Sequence, residues 1–124
     1  MNERIKSVKD LKVYNLSYKL AMEIFLISKK FPKDETYSMT DQIRRSSRSV
    51  AINIREGFAK KIYPQIFTRH LLDSFGSCEE TRGWVDFALD CVYITKNEHL
   101  IIENRYDELS AMLFSFIDKW QKAC

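Results

Sequence analysis

Arg44, Arg48 and Arg55 stand at positions i, i+4 and i+11 of a segment with helical periodicity. On a 3.6-residue turn their side chains fall within about 40° of one another. They lie well away from the apolar side marked by Ile43, Val50 and Ile54. Arg45 flanks the row, and Lys60 and Lys61 extend it into the loop that follows. A guanidinium donates two parallel hydrogen bonds to a phosphate. Residues one turn apart sit ~6 Å from each other, comparable with successive phosphates on a nucleic-acid strand. Ser46, Ser47, Ser49 and Asn53 offer further donors to a sugar-phosphate backbone. Such a ladder is expected to bind phosphate without sequence preference and with strong salt dependence. The same arginines also fit a second reading, in which they pair with acidic groups on another helix or solvate the surface.

Catalytic and metal chemistry find less support. Neither His70 nor His99 has a carboxylate or cysteine at a recognised metal-ligand spacing, and no Glu-x-x-His pair is present. Three glycines are too few for a phosphate-cradling loop, and no Gly-x-Ser-x-Gly turn occurs. Glu79 and Glu80 are adjacent, so on a helix they point ~100° apart and read as solvated or ion-paired groups. The expectation is a non-catalytic protein with no cofactor and no metal. Cys78, Cys91 and Cys124 are odd in number and lack CxxC spacing, which predicts a reduced, cytoplasmic setting. Cys78 and Cys91 read as small buried hydrophobes.

The elements that position the arginines follow from the apolar pattern. With 124 residues, 45% of them apolar and 30% charged, the chain has the size and composition of one globular domain spanning 1–124. Gly and Pro number five together, too few for the turns of an all-β fold. No apolar run exceeds four residues, as in Ile24 to Ile27, which excludes a helix spanning a membrane. Met1-Asn2-Glu3-Arg4 begins a stretch with no apolar run before Asp10, which predicts no secretory signal.

Four segments carry helical period, at about 12–31, 38–59, 64–94 and 96–121. Val13, Leu20, Ile24 and Phe31 mark the first, and Pro32 is expected to end it. In the second, Ser46 and Ser47 interrupt the apolar stripe and would let a neighbouring helix approach closely. Pro64 suits the first turn of the third helix, along which Phe67, Leu71, Cys78, Val85 and Leu89 share a face. Thr95 and Glu98 form a capping-box pattern ahead of the fourth. Short connections make sequential helices antiparallel, so the expected fold is all-α, an up-down-up-down antiparallel four-helix bundle. Two apolar strips remain over, Tyr14, Tyr18 and Phe25 on the first helix and Ile66, Trp84, Phe87 and Cys91 on the third. They signify either a wide core face or self-association, with Tyr14, Tyr18, Phe25, Trp84 and Phe87 as the interface.

Several strings occur together in order: Phe31-Pro32-x-x-Glu35-x-Tyr37, Gln42-Ile43-Arg44-Arg45-Ser46, Asn53-Ile54-x-Glu56-Gly57 and Gly76-Ser77-x-x-Glu80. In these the chain resembles, over about residues 11–120, the four-helix-bundle proteins encoded in intervening sequences of bacterial 23S ribosomal RNA. It is similar also to the accessory variability protein of diversity-generating retroelements, of the same superfamily. The resemblance implies a ring-like homopentamer and, in the retroelement branch, a basic surface that binds nucleic acid and a reverse transcriptase. By position the family's paired arginines are Arg44 and Arg45, and no catalytic residue carries over. Ala51 stands where the family usually has Pro, Thr81 where it has Leu, and Trp84 where it has a polar residue. Arg55 replaces a small residue, which adds to the basic row. In Asn53-Ile54-x-Glu56-Gly57 the expected role is structural hydrogen bonding, with Gly57 permitting close packing.

Together these readings predict a homo-oligomeric RNA- or nucleic-acid-binding bundle using Arg44, Arg45, Arg48, Arg55, Lys60 and Lys61. The alternative is a protein-interaction scaffold with no nucleic-acid role.

Overall fold

Each apolar-periodic segment becomes one helix: α1 (Lys12–Ser28), α2 (Met39–Ala59), α3 (Pro64–Asp90) and α4 (Lys96–Ala123). The structure, a computed structural model, describes residues 5–123; Cys124 and the opening Met1-Asn2-Glu3-Arg4 lie outside the described residues. Short 3₁₀ turns, Val8–Asp10 and Lys33–Glu35, precede α1 and α2, and no strand occurs among the described residues. None of these helices is long and apolar enough to cross a membrane.

Two helices end earlier than their periodicity suggests. In α1 the N–H groups of Lys29, Lys30 and Phe31 each bond the carbonyl three residues back. That tightening closes the helix before Phe31, which Pro32 forces out of the α region. In α3 the stop is Val92, whose φ of 64° is left-handed. Tyr93 N–H bonds Ala88 O at 2.8 Å and Val92 N–H bonds Leu89 O at 2.9 Å, closing a Schellman motif. Glycine ordinarily marks such a stop. Here a β-branched residue accepts a cost of ~1–2 kcal/mol, and the apolar period simply runs on to Tyr93. Pro64 occupies the first turn of α3 as expected. Thr95 and Glu98 exchange the two bonds of the capping box, at 2.8 and 3.1 Å.

The helices run up, down, up and down. Phe25 late in α1 meets Arg44 early in α2, whereas Tyr14 early in α1 meets Arg55 late in α2. The same reversal joins α2 to α3 and α3 to α4, and α4 closes against α1. Between them lies a continuous core that includes Leu20, Ile24, Ile43, Val50, Ile54, Phe67, Leu71, Val85, Tyr106, Leu109 and Leu113. Full burial of each aliphatic side chain contributes about 1.5–3 kcal/mol. The Tyr106 hydroxyl is buried without a hydrogen-bond partner, and burial pushes its phenol pKa upward.

α2 and α3 approach closely because small residues face each other. Ser46, Ser47, Ala51 and Gly57 on α2, with Ser74, Cys78 and Thr81 on α3, are all buried. Their hydroxyls are satisfied, as buried polar groups must be. Ser74 donates to Val50 O at 2.7 Å, and Thr81 donates to Ser46 Oγ at 2.8 Å. Thr81, where Leu is usual in the resembled family, thus trades apolar volume for a cross-helix hydrogen bond.

One end of the bundle is tied by Glu35. Its carboxylate accepts from Ser38 Oγ at 2.6 Å, Met39 N–H at 3.2 Å and Tyr93 OH at 2.7 Å. The Ser38 bond, followed by those from Tyr93 and Met39, holds its carboxyl below the usual range. The Tyr93 phenol is pushed up in turn to about 12. Glu98, held by Lys30 and then by Thr95 N–H, is shifted the same way. A carboxyl depressed in the folded state contributes stability above its unfolded value of about 4.3 and loses it as pH falls through the lower folded value. The Tm is therefore expected to be flat from neutrality to about pH 5 and to fall below that. Glu35→Gln should lower Tm near neutrality, and the gap to the parent should narrow as pH falls into the acid range; a gap that stays equal at every pH would contradict this account.

Candidate nucleic-acid interface

The row of arginines on α2 lies against α1 rather than standing free. Arg44 Nε donates to Ser28 Oγ at 2.8 Å, and its guanidinium carbon sits 4.8 Å from the centre of the Phe25 ring. Arg48 covers the same ring at 5.8 Å, and Lys29 Nζ lies 4.8 Å from it. Three cations therefore gather around one aromatic ring. Arg55 donates to Tyr14 OH at 3.1 Å and stands 5.8 Å from the Tyr14 ring centre. From Arg44 to Arg55 the row extends roughly 16 Å along α2 at ~1.5 Å per residue. Guanidinium faces stacked on rings leave their N–H edges available to an anion.

The remaining basic residues sit apart from that cluster. Arg45 is exposed on the flank. Lys60 and Lys61 follow the end of α2, where Lys61 Nζ lies 4.3 Å from the Phe58 ring centre. Lys60 Nζ is 3.4 Å from His70 Nε2, while His70 Nδ1 is 3.2 Å from Asn53 Oδ1. Those contacts fit an imidazole protonated at Nδ1, donating to Asn53 and accepting from Lys60. Among the described residues, none of the six sequence-predicted basic side chains forms an ion pair with a carboxylate. The cross-helix ion-pair reading is thereby corrected: what holds Arg44, Arg48 and Arg55 is aromatic rings and hydroxyls.

Two further expectations change. Ser46 and Ser47 are buried between helices and donate within α2, and the Asn53 amide donates to Ser49 O and Oγ, so these three are not free donors; Ser49 Oγ accepts from Asn53 and from Ser77. Their small size answers the packing of α3 instead, which spacing around α2 alone does not separate from an outward face. Cys78 is buried as expected, and desolvation pushes its thiol upward. Cys91 is exposed, because α3 has already ended at Asp90 and the residue caps it.

Of the apolar strips, Tyr14 is buried at 5% exposure and Phe25 is half-buried under its cations. Tyr18 stays open at 55%, continuing into Met22 and Leu26 one and two turns on, with Ile52 of α2 beside them. On α3, Phe87 is 58% exposed and packs at a tilt against Trp84, ring centres 5.7 Å apart, and Trp84 Nε1 donates to Glu80. The Gly57 reading holds: a Cβ built there would lie 2.6 Å from His70 Cβ and 2.8 Å from Phe67.

Two groupings escaped the sequence reading. Lys29 joins the Phe25 cluster because it lies one turn beyond that ring on α1. On the opposite seam, His99 Nε2 lies 2.8 Å from Asp86 Oδ1 and 4.0 Å from Glu103 Oε2. His99 and Glu103 are four apart on α4, a spacing visible in the sequence, but Asp86 is brought to them by α3. Neighbouring Arg82 bonds Glu79, Glu103 and Asp107, which gives Glu79 the ion-paired role expected of it.

The sequence pattern of the family described as 23S rRNA-intervening sequence protein matches residues 9–115. Among solved structures, a similar fold is seen in a Bacteroides thetaiotaomicron protein described as having unknown function and belonging to the S23 ribosomal protein family. That likeness has a TM-score of 0.78 and 27% sequence identity, covering 86% of this chain and 95% of that one. No curated protein matches the chain.

Proposed function

The chain belongs to the 23S rRNA-intervening sequence protein family, and from that premise we propose that it is a non-catalytic cytoplasmic protein that binds RNA through the α1–α2 seam as a homo-oligomer. The observation that carries this reading is the convergence of Lys29, Arg44 and Arg48 on the Phe25 ring with no carboxylate among the described residues to neutralise them. Three like charges held together repel one another, and a phosphate relieves that repulsion by accepting from all three. Arg55 extends the contact along α2, and Arg45, Lys60 and Lys61 add charge at its margins. Contacts of this kind position a strand without reading its bases.

One such patch binds modestly. Assembly multiplies it, and avidity then exceeds the affinity of any single copy. Tyr18 and Phe87, with the partly buried Trp84 beside Phe87, supply apolar area for self-association, and five copies is the number that the resemblance implies. A reverse transcriptase as a further partner rests on the likeness to retroelement accessory proteins alone. Light scattering of the nuclease-treated protein, with and without added RNA at low and high salt, tests the reading. An oligomer that gains RNA at low salt and sheds it at high salt is expected; a monomer indifferent to RNA would overturn it.

The exposed row of Tyr18, Met22, Leu26 and Ile52 favours a second reading, a scaffold that binds another protein. A stoichiometric protein partner that survives nuclease treatment of a lysate, with no RNA binding by the purified chain, would select it.

A further inference from the structure

The seam between α3 and α4, on the far side of the bundle from the arginines, holds three potential ligands of mixed chemistry. Asp86 Oδ1, His99 Nε2 and Glu103 Oε2 all lie within 4.8 Å of one another. We propose that this trio is a binding site for one divalent transition-metal ion of the zinc class. The argument is independent of the RNA-binding reading.

The first support is an orphaned atom. Arg82 grips Glu103 through Oε1 alone, from Nε at 2.9 Å and from Nη2 at 2.6 Å. Glu103 Oε2 is left buried with no hydrogen-bond partner. A buried carboxylate oxygen without a partner is costly, and a cation bonded to it removes that cost. Arg82 then acts as the outer support that metal-ligating carboxylates ordinarily have, fixing the orientation of Glu103.

Charge points the same way. Along this seam Glu79, Asp86, Glu103 and Asp107 stand against the single guanidinium of Arg82. The surplus is negative, the reverse of the α1–α2 seam. The geometry requires only small side-chain adjustment. Donors bonded at ~2.0–2.2 Å to a common ion sit roughly 3.0–3.5 Å apart. The His99–Asp86 separation of 2.8 Å and the His99–Glu103 separation of 4.0 Å bracket that range. On binding, the ion takes the place of the proton that His99 Nε2 shares with Asp86, and that proton leaves to solvent.

One imidazole with two carboxylates suits zinc, cobalt, nickel or manganese better than the all-oxygen preference of magnesium or calcium. Three protein ligands leave positions for water. Because Asp86 comes from α3 and the others from α4, the ion would clamp the two helices together.

The test uses the tag-free, chelator-stripped and nuclease-treated full chain carrying Cys91→Ser and Cys124→Ser, so that thiols do not compete. Zinc is titrated calorimetrically, and Tm is recorded with and without it. Saturation at one ion per chain and a rise in Tm are expected. Asp86→Asn and His99→Gln should each weaken binding by more than about 10-fold while circular dichroism keeps its helical signal. Absence of saturable uptake up to about 1 mM zinc, or unchanged uptake in both variants, would overturn the site. Magnesium binding as tightly as zinc would also overturn it, since the imidazole would then be idle.

Discussion

Reversing two charges on α2, Arg48→Glu together with Arg55→Glu, is expected to weaken RNA binding by on the order of 100-fold or more. Both side chains are exposed and rest on α1 through aromatic contacts. Each substitution removes one phosphate contact and adds a repulsion in its place. Lys29 and Arg44 remain on the Phe25 ring, but they then face a nearby carboxylate that neutralises them as a phosphate would. Helical content and oligomer size should be unchanged, because neither arginine contributes to the core. The check is a binding isotherm on a labelled single-stranded RNA, alongside circular dichroism and light scattering. Unaltered affinity would remove the α1–α2 seam from the account, whatever else binds.

Gly57→Ala is expected to destabilise the bundle by about 1–3 kcal/mol, as overpacking of a tight contact does. The new methyl would meet His70 Cβ and Phe67 at distances that real contacts do not show. Neither neighbour yields easily. Phe67 is fully buried, edge-on to Phe58 and Phe116 and 4.7 Å from the Trp120 ring centre. His70 is held by Asn53 and Lys60. Equilibrium urea unfolding reads the cost directly. Gly83→Ala serves as the contrast, since a Cβ there meets nothing within 4 Å. That exposed helical position should gain up to about 1 kcal/mol. Equal effects from the two substitutions would contradict the close α2–α3 approach.

The fold was legible because its signal is periodic. Ile43, Val50, Ile54 and Phe58 repeat at helical spacing, and all four are buried where that repeat places them. Pro64 and the Thr95–Glu98 pair mark helix starts through local chemistry, so they too were readable. Helix ends were less so. Val92 ends α3 in a conformation that no glycine announces, and the closing turn of α1 tightens before the proline that causes it.

The basic row was legible as a row, but its setting was not. Periodicity gives angles around one helix and says nothing about which helix stands beside it. Hence Tyr14 and Phe25, read as surplus apolar area, emerge as the rings that carry Arg55, Arg44 and Arg48. Ser49 and Asn53, read as outward donors, instead accept from Ser77 and His70 of α3 for the same reason. Lys29 and Asp86 belong to groupings that form only across helix pairs.

The central claim is that the cations gathered on Phe25 bind phosphates, and its most direct measurement is the salt dependence of RNA affinity. For single strands the logarithm of the binding constant falls with the logarithm of salt by about 0.7 per phosphate neutralised. Lys29, Arg44, Arg48 and Arg55 acting together predict a slope near −3 for each subunit engaged, roughly a 50-fold loss between 50 and 200 mM salt. The slope should be the same for RNAs of unrelated sequence. A measured slope near zero, or no affinity for any single strand at low salt, would contradict the account.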